Sequence, residues 1–331
     1  MHVIEHYIQT NLFTAWVVIS VSFVILFKCA DIFVESSVDL ANRFRISKLV
    51  IGIVLVSLAT TAPEFSVSFI AALRGNPEIA LGNAVGSVIC DDGLALALLG
   101  ILSLSPIAII PSVLKSAGIF LIAVQIITFL FVVFDYTLNR WEGMVLVSLF
   151  VSYIMFLFRQ HKKGDFEDEI SLHEIGKRKE VSAVKLFTLF ILAIVGIIFS
   201  SSFIVTSATT IARFFHMSES VIAMTLVAFG TSIPEIATCI VAARKGEGAI
   251  AVGNILGADI MNICWVAGAS AIANNLILGR KDIYFMFPSM FIIVGAMLCM
   301  LRLGYSLTRS KGLILFSLYV LYLISFFIFF P

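Results

Sequence analysis

The stretch ATTAPEF, residues 59–65, returns as GTSIPEI at residues 230–236. Each copy places hydroxyl residues, a proline and a glutamate inside an otherwise apolar run. The two glutamates, Glu64 and Glu235, are 171 positions apart. The match indicates a duplicated segment, because the same residue types recur in the same order.

A second pair of segments follows at the same offset. LRGNPEIALGNAVGS at residues 73–87 aligns with RKGEGAIAVGNILGA at residues 244–258, and their Gly-Asn pairs coincide at Asn83 and Asn254. No gap is needed between the two matches. The chain therefore contains an internal repeat, and its halves are expected to share one architecture.

The composition places this repeat in a membrane. Of the 331 residues, 60% are hydrophobic and 13% are charged, whereas a soluble domain carries about 25% charged residues. Apolar runs of about 20 residues, long enough for a helix to cross a bilayer, recur along the chain. The predicted fold is an all-α polytopic membrane protein with ten transmembrane helices. The ten predicted spans are residues 12–34, 46–73, 77–103, 106–134, 141–158, 184–209, 217–243, 248–273, 282–302 and 312–330.

A polar segment separates the halves. We predict a first five-helix half at residues 1–158, a linker at 159–183 and a second five-helix half at 184–331. Because five is an odd number, the second half enters the membrane inverted. Inverted repeats are typical of secondary transporters, whose binding site lies at the repeat interface near the midplane.

The basic residues favour one orientation. With the N-terminus outside, sixteen basic residues fall on the inner side and five on the outer side. This agrees with the excess of Lys and Arg in cytoplasmic loops. We expect a multi-pass protein of the plasma membrane or cell inner membrane, with both termini outside and the linker in the cytoplasm.

The two proline motifs predict helix breaks that expose oxygen atoms. Pro63 and Pro234 each lack a backbone donor and disturb the carbonyl four residues earlier. The backbone carbonyls of Thr60 and Thr231 lie alongside, the motifs also contain hydroxyl groups, and a glutamate follows each proline. Such hard oxygens suit Ca²⁺, and Na⁺ accepts the same ligands. The alternative is a simple kink, but a carboxylate in a span costs about 2.5–3.5 kcal/mol and is functional by default.

Helical geometry sorts the remaining polar residues. Ser87 and Asp91 are four positions apart and share a helix face, and Asp91 aligns with Asn262. Asp92 and Asp259 each align with an apolar residue of the other half. We expect these two acids to act around the site rather than in it, as groups that support its ligands, as proton carriers or as pairing partners for a base. Two roles stay open for the asparagines of the Gly-Asn pairs, namely helix capping and an amide ligand.

Taken together, these motifs resemble the two alpha-repeats of the sodium/calcium exchanger branch of the cation/calcium antiporter superfamily. The resemblance implies a ten-helix inverted-repeat fold and alternating access by movement of the first and sixth helices. It also implies four central residues, flanking hydroxyl ligands and two backbone oxygens. The central residues are Glu64, Asp91, Glu235 and Asn262. The flanking hydroxyl ligands are Thr60, Thr61, Ser87, Thr231 and Ser232, and the backbone oxygens lie near Ser57 and Ala228.

The chain departs from the family pattern at several positions. Members typically have serine where this second half has Ala258, which removes one hydroxyl. They commonly have asparagine in the first repeat and aspartate in the second, so Asp91 and Asn262 are exchanged here. The first half also has Ala59 and Thr61 where glycine and serine are usual. The exchange preserves the number of central charges.

These observations predict a cation antiporter that exports Ca²⁺ against inward Na⁺, and not an enzyme. An H⁺- or K⁺-coupled exchanger of the same fold is the first alternative, and a passive cation channel is the second. The sequence contains no GxxxxGK[ST] motif for a nucleotide and no GxGD motif of an intramembrane aspartyl protease. We expect membrane lipid as a partner, no nucleic acid or nucleotide, and no cofactor besides the transported ions.

Overall fold

The computed structural model describes residues 12–44, 46–162, 182–215 and 228–329. Within them the chain is almost entirely helical. The helices of the first half are α1 (Leu12–Phe44), α2 (Lys48–Ile51), α3 (Ser57–Thr60), α4 (Ala62–Leu73), α5 (Pro77–Cys90), α6 (Leu96–Leu102), α7 (Pro111–Asp135) and α8 (Arg140–Lys162). The helices of the second half are α9 (Ala183–Phe214), α10 (Ala228–Thr231), α11 (Ile233–Lys245), α12 (Gly248–Met261), α13 (Gly268–Ala273), α14 (Arg280–Arg302) and α15 (Arg309–Phe329).

Three π-helical segments join some of these helices, and two pairs of short strands connect loops. The π segments are π1 (Gly52–Val56), π2 (Asp91–Ala95) and π3 (Asn262–Ala267). The strands are β1 (Ile107–Ala108), β2 (Thr137–Leu138), β3 (Leu276–Ile277) and β4 (Ser306–Leu307).

The helices follow the predicted spans. Eight helices in the described residues are long and apolar enough to cross a membrane, and the bent pair Gly52–Thr60 and Ala62–Leu73 forms a further candidate. The predicted span 217–243 begins outside the described residues and continues as α10 and α11. Residues 163–181 of the predicted linker also lie outside the described residues. The prediction of an all-α polytopic chain is therefore confirmed.

One difference is the length of α1, which continues past residue 34 to Phe44. Its polar residues do not end the helix, because Ser36 and Ser37 are buried and donate their hydroxyl protons to carbonyls one turn earlier, including that of Phe33. Apolar periodicity alone places the end of this span too early.

The two repeat motifs occupy the middle of the protein. In the apolar windows of Ile79–Leu102 and Gly248–Ala273, 78% and 83% of the residues are buried, against 22–39% in the other long spans. The outer helices expose large apolar side chains, as expected for surfaces that face lipid. The polar residues of the motifs therefore lie at the centre of the fold.

Close packing brings the halves together there. A Cβ added at Gly257 of α12 would overlap the carbonyl oxygen of Ile53 in π1 and the hydroxyl of Ser57 in α3. A Cβ added at Gly52 would overlap the backbone of α12. Small residues at these positions allow the two backbones to approach each other.

The first and sixth predicted spans form a separate pair. Helix α9 packs along α1, and the rings of Phe33 and Phe190 stack with their centroids 5.0 Å apart. The pair contacts the rest of the protein chiefly where α1 meets α11.

The strands link the two halves at their loops. Strand β1 pairs antiparallel with β4, in the register Ile107 to Leu307, and β2 pairs antiparallel with β3, in the register Leu138 to Leu276. Each pair therefore takes one strand from each half. All four strands lie in loops that connect helices other than α1 and α9.

Candidate cation site

The helix breaks lie where the proline motifs predict them. Thr61 (φ −78°, ψ 1°) separates α3 from α4, and Ser232 (φ −81°, ψ 4°) separates α10 from α11. Pro63 and Pro234 lie in the first turn of the following helix, where a missing backbone donor does no harm. The two parts of the first broken span differ in direction by 53°.

Each break places a glutamate at a helix N-terminus in the core. Glu64 lies in the first turn of α4 and Glu235 in the first turn of α11, and both are fully buried. The partial positive charge of a helix N-terminus favours a carboxylate there. Glu64 lies within electrostatic reach of both Glu235 and Asp91, which is also fully buried. The three central carboxylates predicted from the sequence therefore meet at one place.

These carboxylates have few protein partners. Oε2 of Glu64, both carboxylate oxygens of Glu235 and Oδ1 of Asp91 are buried and accept no hydrogen bond from the described residues. No lysine or arginine is among the buried residues of the described chain. Isolated buried charges are very unfavourable, so such groups are expected to bind cations or protons.

Hydroxyl and amide groups from the opposite half approach the same acids. Ser232 Oγ lies 3.5 Å from Glu64 Oε1, and Asn262 Nδ2 lies 3.5 Å from Asp91 Oδ2. Both pairs cross from one half to the other, so the site is built at the interface of the repeats. Ser87 is fully buried, and its hydroxyl makes no hydrogen bond with the described residues.

The region around Ser57 is more heavily hydrogen-bonded than the sequence indicates. Its carbonyl oxygen accepts the backbone N–H of Thr61 at 2.9 Å and the Thr61 hydroxyl at 2.7 Å. The Ser57 hydroxyl itself donates to the carbonyl of Ile53 at 2.5 Å. If the Ser57 carbonyl oxygen is the predicted backbone ligand, it would give up one of its two hydrogen bonds from Thr61 to bind a cation. Ala228 is the first residue of α10, and its role as the matching backbone ligand stays a prediction.

Asn83 and Asn254 do not cap helices. They lie inside α5 and α12, and the N-cap positions of those helices are Asn76 and Glu247. The first of the two roles left open by the sequence is therefore wrong. Instead, Thr60 Oγ1 donates to Asn254 Oδ1 at 3.0 Å, and Thr231 Oγ1 donates to Asn83 Oδ1 at 3.2 Å.

The π segments were not predicted from the sequence. Asp91 is the first residue of π2 and Asn262 is the first residue of π3, so the same irregularity occurs at the same repeat position. A π turn inserts one residue into an α-helix and is frequent at functional sites. No residue type in either segment indicates a π turn. The repeat predicts only that a π turn in one half has a counterpart in the other.

A second acidic pair was also missed. Asp92 and Asp259 are fully buried and lie next to each other, although they belong to different halves. Neither carboxylate accepts a hydrogen bond of good geometry from the described residues. The alignment hides this pair, because each acid aligns with an apolar residue rather than with the other acid. Their expected place outside the central four residues stays a prediction.

The acidic side chains alone do not form a metal cage. Among the described residues, no group of three or more His, Cys, Asp or Glu side chains has the arrangement of a metal site. A Ca²⁺ shell here would combine carboxylates with hydroxyl, amide and backbone oxygens, a mixture that this ion accepts.

Comparison with known proteins agrees with this geometry. The sequence matches the family described as sodium/calcium exchanger protein over residues 14–159 and 185–328, which include both halves. Sodium/calcium exchanger MaX1 of Methanosarcina acetivorans is 28% identical over 94% of this chain and 98% of its own length. Inner membrane protein YrbG of Escherichia coli is 32% identical over 73% of this chain and 75% of its own length.

A solved structure shares the fold. The sodium-calcium exchanger NCX_Mj, soaked with Na⁺ and Sr²⁺, matches with a TM-score of 0.81 at 26% identity, covering 95% of this chain and 99% of its own. A match over 95% of the chain includes both halves. The predicted ten-span fold with two inverted repeats is confirmed by this agreement.

Proposed function

The chain belongs to the sodium/calcium exchanger protein family, and we propose that it is a secondary antiporter that exchanges Ca²⁺ for Na⁺. The observation that carries the proposal is the meeting of Glu64, Glu235 and Asp91 in a buried site between two inverted halves. Ion sites at repeat interfaces near the midplane are the architecture of alternating-access carriers. The function is transport, and no catalysed reaction is assigned.

Competition between the two ions gives exchange. Glu64 and Glu235 bind either Ca²⁺ or Na⁺, and one set of carboxylates cannot neutralise both loads at once. Asp91, with Asn262 opposite, supplies the third central carboxylate. A site that must release one cation before it accepts the other couples their movements in opposite directions.

Neutral oxygens complete the shell. The proposed hydroxyl ligands are Thr60, Thr61, Ser87, Thr231 and Ser232, and the proposed backbone ligands are the carbonyls at Ser57 and Ala228. Support comes from their positions at the two helix breaks and on α5, and from the partnerless hydroxyl of Ser87. Such oxygens bind Ca²⁺ and Na⁺ without adding charge.

The helix pair α1 and α9 is proposed to move past the remaining helices. The two helices pack against each other, and neither is followed or preceded directly by a strand of the pairs β1–β4 and β2–β3 that join the halves. Sliding of one packed unit against another is a common form of conformational switching. It would open the central site to either side of the membrane in turn.

The orientation follows from the charges of the loops. We place both termini outside and the linker in the cytoplasm of a cell that carries this protein in its plasma or inner membrane. In that orientation, inward Na⁺ movement drives export of Ca²⁺.

The proposal is tested by Ca²⁺ uptake into proteoliposomes under an outward Na⁺ gradient, under a pH gradient, and with neither gradient. An outward Na⁺ gradient is expected to drive uptake, and a pH gradient of matched energy is expected not to do so. Uptake driven only by the pH gradient would replace Na⁺ by H⁺, and a requirement for K⁺ would add that ion. Uptake that follows the Ca²⁺ gradient with no counter-ion would indicate a channel and defeat the proposal.

A further inference from the structure

We infer that Asn83 and Asn254 are positioning residues that orient the threonine hydroxyls of the cation site, each acting across the interface between the halves. The inference rests on the proposed function, because it concerns how the same site binds its cations. It adds that the two asparagines are unequal, because Cys239 replaces a hydrogen-bonding serine in the second half.

The two contacts are related by the repeat. Thr60 of the first half donates to Asn254 of the second at 3.0 Å, and Thr231 of the second half donates to Asn83 of the first at 3.2 Å. Both asparagines are buried, with exposed fractions of 4% for Asn83 and 0% for Asn254. Thr60 Oγ1 also lies 3.5 Å from the Ser57 carbonyl of its own half, but its shorter contact is the one to Asn254. Each hydroxyl therefore has an acceptor supplied by the other half.

Cation binding requires such an acceptor. A hydroxyl group has one proton and two lone pairs, and it binds a cation only through a lone pair. The hydroxyl of Thr60 lies beside Glu235, and that of Thr231 lies beside Glu64. A cation held by these carboxylates repels a hydroxyl proton that points toward it. The asparagine oxygens accept the protons on the far side and leave the lone pairs for the cation.

The asparagines differ in how they are held. Asn83 Nδ2 donates to Ser68 Oγ at 3.0 Å and to the Glu64 carbonyl at 3.4 Å, so both ends of its amide are bound. Asn254 Nδ2 is buried and has no hydrogen-bond partner in the described residues. At the offset of 171 positions, Ser68 corresponds to Cys239, which is also buried. A thiol is a weak acceptor, so the second amide is held only through its oxygen.

The first test is a double-mutant cycle on Thr60→Val and Asn254→Leu. Leucine has the same branched skeleton as asparagine, and Nδ2 of Asn254 makes no hydrogen bond with the described residues. The contact to Thr60 is therefore the one side-chain hydrogen bond among the described residues that the change removes. The measurement is Ca²⁺ affinity of the purified protein by calorimetry, with melting temperature as the check on folding. We expect Asn254→Leu to weaken Ca²⁺ binding about two- to tenfold, the range of one hydrogen bond.

The cycle separates positioning from packing. In the Thr60→Val background, Asn254→Leu is expected to have no further effect, because no hydroxyl remains to be oriented. Equal effects of Asn254→Leu in both backgrounds would overturn the inference. Wild-type protein that binds Ca²⁺ but shows no Na⁺-driven uptake would defeat the proposed function and leave the result of the cycle standing.

The second test exchanges the residues that make the halves unequal. Cys239→Ser places in the second half the hydroxyl that Ser68 offers to Asn83 in the first. We expect this hydroxyl to hold the Asn254 amide and to tighten Ca²⁺ binding about twofold, with maximal transport unchanged. Ser68→Cys is the matched variant, which makes the first half resemble the second and is expected to weaken binding by a similar factor. Equal Ca²⁺ affinities of both variants and wild type would overturn the proposed difference. Weaker binding by Cys239→Ser together with tighter binding by Ser68→Cys would also overturn it.

Discussion

The two halves of the molecule share their backbone irregularities and differ in the side chains placed on them. Both spans break one residue before a helix whose second and third residues are a Pro-Glu pair, and both central helices change to a π turn at the same repeat position. At that position the first half has Asp91 and the second has Asn262, and one turn earlier Ser87 of the first half corresponds to Ala258 of the second.

The difference separates two requirements. Breaks and π turns free backbone oxygens, which is tolerated in a membrane only next to protein or a polar cavity, so both halves need them to build one cavity. The number of carboxylates in the site depends on the charge of the transported cations and not on the fold. One half can therefore carry an acid that the other lacks while the backbone stays symmetric.

The largest expected effect tests the residues that the halves share. Glu64→Gln and Glu235→Gln are each expected to lower Na⁺-driven Ca²⁺ uptake by about 100-fold, because loss of a buried charge that meets an opposite charge costs about 2–5 kcal/mol. The measurement is radioactive Ca²⁺ uptake into proteoliposomes. Glu247→Gln is the control, because Glu247 lies at the helix end and pairs with Lys48 at 2.7 Å. A difference of more than about tenfold between the two variants would break the equivalence of the halves.

The next prediction tests where the third charge must lie. Asp91→Asn removes it and is expected to reduce Ca²⁺ uptake about tenfold or more, because one of three carboxylates is lost. Asn262→Asp in the same protein restores the charge 3.5 Å away, at the other end of the Asp91–Asn262 contact. We expect the double variant to recover to within about threefold of wild type. No recovery would mean that the acid must belong to the first half.

A smaller effect is expected where the halves differ by one hydroxyl. Ser87→Ala removes a buried hydroxyl that has no hydrogen-bond partner in the described residues, so stability should change little while Ca²⁺ affinity falls about two- to tenfold. Ala258→Ser adds the hydroxyl that the second half lacks and is expected to raise apparent Na⁺ affinity by up to about threefold. Calorimetry and melting temperature on the purified proteins distinguish the two effects. A large loss of stability in Ser87→Ala would assign this residue to packing.

The smallest effect concerns charges away from the site. Lys245 of α11 pairs with Asp31 at 2.8 Å and Glu35 at 2.7 Å on α1, and these acids are 54% and 56% exposed. Its repeat counterpart, Arg74, is exposed. Because exposed ion pairs contribute about 0–1 kcal/mol, Lys245→Gln should lower thermal stability slightly and change transport less than about twofold.

High salt provides the check on this last prediction. Screening at about 1 M salt should remove the stability difference between Lys245→Gln and wild type. A loss of transport comparable with that of the glutamate variants would show that this ion cluster controls the movement of α1.

Much of the fold could be predicted because the signals are local or repeated. Long apolar runs predicted the spans, and proline within such a run predicted the breaks at Thr61 and Ser232. The fixed offset brought Glu64 and Glu235 together, since inverted copies must face each other.

The features that could not be predicted depend on contacts between residues that are not 171 positions apart, so the repeat does not relate them. Asp92 and Asp259 meet although their alignment partners are apolar, because π2 packs against α12 in the folded protein, and no pattern in the sequence indicates this contact. The hydrogen bonds from Thr60 to Asn254 and from Thr231 to Asn83 likewise connect different motifs of opposite halves. Pairs of this kind require the packed structure, even when each member is recognised as polar and buried.

The strand pairs that join the loops bear on how the protein is made. Strand β1 can pair only after β4, which follows α14 near the end of the chain, has been synthesised. In the same way, β2 can pair only after β3. Contacts between segments so distant in sequence form late, because a long loop must close first. During synthesis the first half therefore holds Glu64, Asp91 and Asp92 in the bilayer before its partner exists. Early termination before α12 would leave these acids without their opposite half, and we expect such fragments to be degraded rather than to accumulate as a stable half-transporter.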